Sequence, residues 1–304
     1  MTNECLNAEG HEKPVLEIPS HFHGTAVWNK FLTDSLIESE LFRIVHGDFP
    51  QVPRGRRFRK NWSFLRLDGQ LIGVDTWDRE APTNLGADVL NQVDLILKIE
   101  YRESPFWKEI EQRHNLIIRP WTMFGYDAFP TQAFTWASGE HKYIGGFSGD
   151  HKRSKRRWIK KMSELGWPVY GVQTVEEFMP LLQECRWGVV LQGLKGKYCD
   201  GKNRREHFFS SLGMPLALNY RPTYPFPMRE GIEYVYLASP TGLEKLRDID
   251  PAPFAEASRL LWKEYFSPKG MGNMLLEIVD KNLKATDDIV PRRVESSGDG
   301  GLID

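Results

Sequence analysis

The stretch from Trp187 to Asn219, WGVVLQGLKGKYCDGKNRREHFFSSLGMPLALN, contains the strongest folding signal in the chain. A short apolar run is followed by a glycine-rich loop, a segment of mixed polar and aromatic residues, and a second apolar run. Short apolar runs bounded by turn residues are typical of buried strands, and the longer segment between them predicts a helix. A strand, a helix and a second strand in this order predict a crossover between parallel neighbours in a sheet.

The same alternation extends over the rest of the chain in two blocks. Strand and helix patterns alternate over residues 14–135 and again over 142–285, with FPTQAFTWASGEH (129–141) at the junction. The predicted fold class is therefore α/β, with two Rossmann-like domains that face each other across a cleft. The polar segment 286–304 is predicted to be a disordered tail. Because ligands of such sheets bind beyond the carboxyl ends of the strands, residues that follow strands are the first candidates for a site.

Composition narrows the class of protein. The 304 residues carry a net charge of −1, so any attraction to nucleic acid or to a membrane must be local. The three cysteines are far apart and predict neither a disulfide framework nor a zinc site. The N-terminal residues are polar, and no apolar run approaches the roughly 20 residues of a membrane span. These features predict a cytoplasmic protein.

The glycine-rich loop resembles a phosphate-binding P-loop in its spacing. Gly196 is followed after four residues by Gly201 and Lys202, but Asn203 stands where a P-loop has Ser or Thr. That hydroxyl binds the magnesium ion, and an Asn side chain does not replace it in the same geometry. An ATPase site and an ordinary surface loop both stay open as interpretations. A third interpretation agrees better with the residues that follow.

Those residues carry a pattern of the form R-E-x6-G-x-P-L. Its five fixed positions are Arg205, Glu206, Gly213, Pro215 and Leu216. The segment EGIEYVYLASPTGLEKL (230–246) then supplies a short strand and a helix. In order and spacing, residues 142–280 resemble the second domain of glycosyltransferases with the two-Rossmann GT-B fold, of the family 1 and family 4 type. The resemblance implies transfer of a sugar from a nucleotide-diphosphate sugar to an unidentified acceptor, without a separate cofactor or a bound metal.

The resemblance also implies roles for residues at the start of the helix. Lys202, Arg204 and Arg205 would hold the diphosphate, because a helix N-terminus and arginine forks both favour phosphate oxygens. Glu206 would bind the ribose hydroxyls. Many members of the family have a second acidic residue where this chain has Phe208, so the ribose role falls to Glu206 or to a residue elsewhere.

A second phosphate-binding element is predicted in GGFSGDHKRSKRRW (145–158), which follows the first strand of the second block. Small residues allow the backbone to approach a ligand closely. Ser148, Gly149 and Arg153 are therefore candidates for contacts to the donor. The alternative is a solvated basic face of the following helix.

In the first block, the loop after the first strand contains Ser20, His21 and His23. Either histidine is a candidate general base because imidazole titrates near neutral pH, and Ser20 is a candidate contact to the acceptor. Asp75 ends a later strand and is the preferred candidate for the base that takes the acceptor proton. The alternative for Asp75 is a carboxylate that caps the following turn.

A basic loop provides the last candidate site. Five cations lie between Arg54 and Lys60, and Arg54, Arg56 and Arg57 are predicted to contact the acceptor. Cations interleaved with aromatic residues are typical of nucleic-acid contacts. Two alternatives therefore stay open: a glycosyltransferase that acts on modified bases in DNA, as in phages, and a two-domain protein that binds nucleic acid without catalysis.

Overall fold

A computed structural model shows two sheets with helices packed on them. It describes residues 11–19, 27–50, 62–75, 87–98, 105–121, 136, 140–148, 155–170, 182, 184–191, 204–222 and 228–283. In the segments 27–31, 147–148, 170 and 204–205 only the backbone is described.

The first sheet has six strands in the order β2-β1-β3-β4-β5-β6. The strands are β1 Val15–Pro19, β2 Arg43–Gly47, β3 Trp62–Leu67, β4 Gln70–Asp75, β5 Leu95–Lys98 and β6 Ile117–Pro120. All are parallel except β3, which runs antiparallel to both β1 and β4. The segment FLRLDGQLIGVD (64–75), in which alternating residues surround Asp68-Gly69, predicts this antiparallel hairpin, an exception to the parallel pairing that the strand–helix alternation indicates. A two-residue turn at Asp68 and Gly69, both with positive φ, joins β3 to β4, and so short a turn connects only antiparallel strands.

The second sheet is parallel throughout its described strands, in the order β11-β10-β9-β7-β8. The strands are β7 Tyr143–Ser148, β8 Val169–Tyr170, β9 Cys185–Val190, β10 Leu216–Leu218 and β11 Tyr234–Tyr236. This confirms the parallel crossover predicted from the Trp187–Asn219 stretch. The strand order reverses at β7, because β8 lies on one side of it and β9, β10 and β11 lie on the other.

Helices cover both faces of the second sheet. The described helices of the chain are α1 Val27–Glu38, α2 Ala87–Leu90, α3 Pro105–His114, α4 Arg156–Glu164, α5 Arg204–Ser211, α6 Ala252–Leu261 and α7 Pro268–Asn282, with a 3-10 helix at Pro240–Arg247 and a π-helical segment at Trp262–Phe266. Met162 of α4 packs in the cluster that contains Val189, whereas Phe209 of α5 packs in the cluster that contains Val190. Successive strand residues point to opposite faces, so α4 and α5 lie on opposite sides of the sheet.

The C-terminal helix α7 packs on the first sheet rather than the second. Met271, Leu275 and Val279 are buried in the same cluster as core residues of β1, β4 and β5. At the other end of α7, Arg119 Nε of β6 donates to Asn282 Oδ1 at 2.6 Å. The π-helical segment just before α7 instead buries Phe266 in a cluster of the second sheet. The chain therefore returns to the first sheet between the π-helical segment and α7.

The architecture is thus mixed α/β with largely parallel sheets, as predicted. The GT-B arrangement of two domains across a cleft and the boundaries 14–135 and 142–285 stay predictions. The tail 286–304 lies outside the described residues.

Candidate functional site

The reversal of strand order in the second sheet marks a candidate binding position. In open α/β sheets, ligands bind outside the carboxyl ends of the strands at the point where the order reverses, here between β7 and β9. Helix α4 follows β7, and α5 joins β9 to the parallel strand β10. The N-termini of both helices therefore lie at the carboxyl edge of this sheet.

Helix α5 is held close to the sheet by a glycine. A Cβ atom added at Gly188 of β9 would lie 2.6 Å from the ring of Phe209, which is fully buried. No side chain fits at position 188 while Phe209 keeps its place, so α5 sits directly on β9. This contact sets the distance between α5 and the sheet.

The first turn of α5 consists of Arg204 to His207. Its first three residues are candidates for donor contacts from the sequence. Arg204 and Arg205 open the helix, and their side chains lie outside the description. Glu206 is fully buried, and the Tyr220 hydroxyl donates a hydrogen bond to Glu206 Oε1. His207 is also buried and stacks on Phe266, with ring centroids 3.8 Å apart. The predicted diphosphate contacts of Arg204 and Arg205 and the predicted ribose contact of Glu206 stay predictions.

Tyr220 was missed by the sequence analysis. It lies two residues beyond the end of β10 and is 4% exposed. Its position just after a predicted strand could have indicated it, because residues that follow parallel strands come together at the carboxyl edge of the sheet. The identity of its partner on another element could not have been read from spacing alone.

A polar and aromatic cluster lies farther along the sheet at β10 and β11. The Arg221 guanidinium is 4.0 Å from the ring centroid of Tyr236, and its Nη2 is 3.0 Å from Glu230 Oε2. Burial, together with the charge of Glu230, raises the pKa of the Tyr234 hydroxyl above its ordinary value. Tyr234 is therefore a neutral hydroxyl at physiological pH, and the exposed charge of Arg221 is balanced by Glu230.

In the first sheet, Asp75 takes part in a buried ion pair. Asp75 and Lys98 end the neighbouring parallel strands β4 and β5 and are directly paired in register. Lys98 Nζ lies 3.2 Å from Asp75 Oδ2, and neither side chain is exposed to solvent. The carboxylate is thus at the carboxyl edge, as predicted, but a cation holds it. Its predicted role as the base stays a prediction.

Several predicted site residues lie outside the described residues. Those without any described atom are Ser20, His21, His23, Arg54, Arg56, Arg57, Gly149, Arg153 and Lys202. The basic loop on which both nucleic-acid alternatives depend is among them, as are the glycines of the P-loop-like stretch. Ser148 has a described backbone as the last residue of β7, at the reversal of strand order.

Among the described residues, no group of three or more His, Cys, Asp or Glu side chains is arranged to hold a metal ion. Within the same part of the chain, no helix combines the length and the apolar character that a membrane crossing requires.

Comparisons with solved structures include two weak likenesses. No protein-family model and no curated protein matches the chain. The chain is similar to a crystal structure of accessory secretory proteins 1, 2 and 3 from Streptococcus pneumoniae, at 11% identity and a TM-score of 0.40 over 66% of this chain and 47% of that one. It thus spans about half the length of that structure. It is also similar to AviGT4, a glycosyltransferase involved in avilamycin A biosynthesis, at 11% identity and a TM-score of 0.39, over 93% of this chain and 97% of that one.

Proposed function

We propose that this protein is a glycosyltransferase that takes its sugar from a nucleotide-diphosphate sugar. The observation that supports the proposal best is the position of the first turn of α5. That turn carries Arg204 and Arg205 and lies at the carboxyl edge of a parallel sheet whose strand order reverses at β7. Two adjacent cations at a helix N-terminus, where the partial positive charge of the helix lies, suit a diphosphate, which carries its charge on several oxygens.

The same cations serve the chemistry as well as the binding. When the bond between sugar and diphosphate breaks, negative charge grows on the leaving phosphate oxygen. Donors placed in advance around that oxygen stabilise the transition state more than the ground state. Arg204, Arg205 and Lys202 are proposed to supply this stabilisation without a metal ion, with Ser148, Gly149 and Arg153 as further contacts to the donor.

The acceptor side of the reaction is assigned to the first sheet. The acceptor hydroxyl must lose a proton, and Asp75, His21 and His23 are the proposed candidates for the group that takes it. Ser20, Arg54, Arg56 and Arg57 are proposed contacts to the acceptor. Asp75 can accept a proton only when a substrate reaches it beside Lys98, so the ion pair must open or rearrange during turnover.

A nucleotide screen tests the donor site directly. We expect one of UDP, GDP or ADP to raise the melting temperature of the full chain, because a ligand at 100 times its Kd adds about 2.7 kcal/mol to the free energy of unfolding. Arg205→Ala should keep the unliganded melting temperature and lose both this shift and hydrolysis of the matching nucleotide sugar. The matched control is Arg43→Ala, an exposed arginine of β2 that should retain both.

Three results would contradict the proposal in different ways. No shift with any nucleoside diphosphate would remove the donor site from the protein. Unchanged turnover in Arg205→Ala would place the site elsewhere. Magnesium-dependent hydrolysis of ATP that Lys202→Ala abolishes would favour the P-loop interpretation of the Gly196–Asn203 stretch.

A further inference from the structure

We infer that Glu206 is a positioning residue for the donor site: through Tyr220 it fixes the first turn of α5 against the end of β10. The inference rests on the proposed function, since it concerns the same helix turn. It gives Glu206 a different task from the ribose contact that the sequence suggests. The two tasks make opposite predictions for ligands that contain no ribose.

The burial of the contact is the first argument. Glu206 is 0% exposed and Tyr220 is 4% exposed, and the hydroxyl of Tyr220 donates to Glu206 Oε1. A carboxylate removed from water must be hydrogen-bonded, since an unsatisfied one is costly to bury. Because Glu206 is 0% exposed, a sugar hydroxyl in solvent does not reach its carboxylate while the side chain keeps this position. The carboxylate is well placed to join two elements of structure.

The location of Glu206 in the helix is the second argument. It belongs to the first turn of α5, directly after Arg204 and Arg205. An acidic side chain is favoured in the first turn of a helix. Glu206 therefore suits the same turn that is proposed to face the diphosphate.

Two further contacts hold the start of α5 in place. His207, the next residue, stacks on Phe266 of the π-helical segment, with 3.8 Å between ring centroids. Phe209, two residues later, lies against Gly188 of β9. The turn is thus held from β10, from the π-helical segment and from β9. A site that is already ordered binds its ligand without the cost of ordering it.

The experiment measures binding of inorganic pyrophosphate and of the nucleoside diphosphate that stabilises the wild-type protein. The variants are Tyr220→Phe, which removes one hydroxyl and keeps the ring, Glu206→Ala and the double variant. Calorimetry is done well below the melting temperature of each variant. We expect each single variant to weaken both ligands about tenfold, as for the loss of one buried hydrogen bond to a charged group.

The double variant should be no weaker than Glu206→Ala alone, because both substitutions delete the same contact. Glu206→Gln keeps an acceptor oxygen for Tyr220 and should restore most of the affinity. Val279→Ala, which opens a cavity in the distant core of the first sheet, is the control for a general loss of stability. It should lower the melting temperature and leave both affinities unchanged.

The outcomes separate the two tasks of Glu206. If Glu206 binds ribose, Glu206→Ala weakens the nucleoside diphosphate alone, and Tyr220→Phe has little effect on either ligand; that result overturns the inference. Unchanged pyrophosphate affinity in both single variants overturns it as well. If the wild-type protein binds neither pyrophosphate nor any nucleoside diphosphate, the proposed function fails, and the positioning role fails with it.

Discussion

Lys98→Met is expected to lower the free energy of unfolding by about 3–5 kcal/mol, which would place it among the most damaging single substitutions in this chain. The ammonium of Lys98 lies 3.2 Å from Asp75 Oδ2, and both side chains are fully buried. Methionine is unbranched like lysine and only one atom shorter, so it leaves no large cavity. The loss comes from the Asp75 charge, which stays inside the protein after its cation has been removed.

When Asp75→Leu is combined with Lys98→Met, the free energy of unfolding is expected to stay close to that of the wild-type protein. Removing both charges replaces a buried ion pair by apolar packing, which is often neutral or stabilising. The double variant should therefore recover most of the stability lost in Lys98→Met. Urea denaturation followed by circular dichroism measures all three free energies of unfolding.

The matched control is Lys281→Met, which removes a lysine whose ion pair with Glu277 lies in solvent, at side-chain exposures of 69% and 61%. Such pairs contribute about 0–1 kcal/mol. If Lys98→Met were as mild as Lys281→Met, Asp75 would not depend on its buried partner. The double variant also separates stability from chemistry: a stable protein that no longer transfers sugar would support Asp75 as the base.

Local patterns in the sequence predicted the local structure well. Asp68-Gly69 specified a two-residue turn because both positions need positive φ, and the structure has it. The apolar runs that begin at Trp187 and Met214 predicted parallel strands because they are short and joined by a helical pattern, and the structure pairs β9 with β10 in parallel. Each of these signals lies within one continuous stretch of the chain, so no knowledge of the rest of the fold is needed to read it.

Contacts between distant elements were not predictable in the same way. The apolar stripe of α7 shows that the helix is half-buried but not which sheet buries it, and Met271, Leu275 and Val279 pack on the first one. The sequence placed Asp75 at a strand end, yet its pairing with Lys98 depends on the register between β4 and β5. The inward orientation of Glu206 depends likewise on Tyr220, which belongs to another element.

Gly270→Ala, at the place where the chain returns to the first sheet, should lower the free energy of unfolding by about 1–3 kcal/mol. A Cβ atom at position 270 would lie 2.6 Å from the carbonyl oxygen of Glu264 and 2.9 Å from the amide nitrogen of Tyr265. Both are backbone atoms of the π-helical segment and cannot turn aside as a side chain does. Alanine is the better helix former by about 1 kcal/mol, so a net loss would show that the clash prevails.

The control for Gly270→Ala is Gly242→Ala in the 3-10 helix, where an added Cβ would be 3.6 Å from Leu237 in ordinary contact. That variant should change the free energy of unfolding by less than about 0.5 kcal/mol.

Gly270 also lies between Phe266, buried with the second sheet, and Met271, buried with the first. To relieve the clash, either the π-helical segment or α7 must move away from its own core. Amide hydrogen exchange over residues 262–282 should therefore be faster in Gly270→Ala than in the wild-type protein. Unchanged exchange together with wild-type stability would show that the two segments do not depend on this close contact.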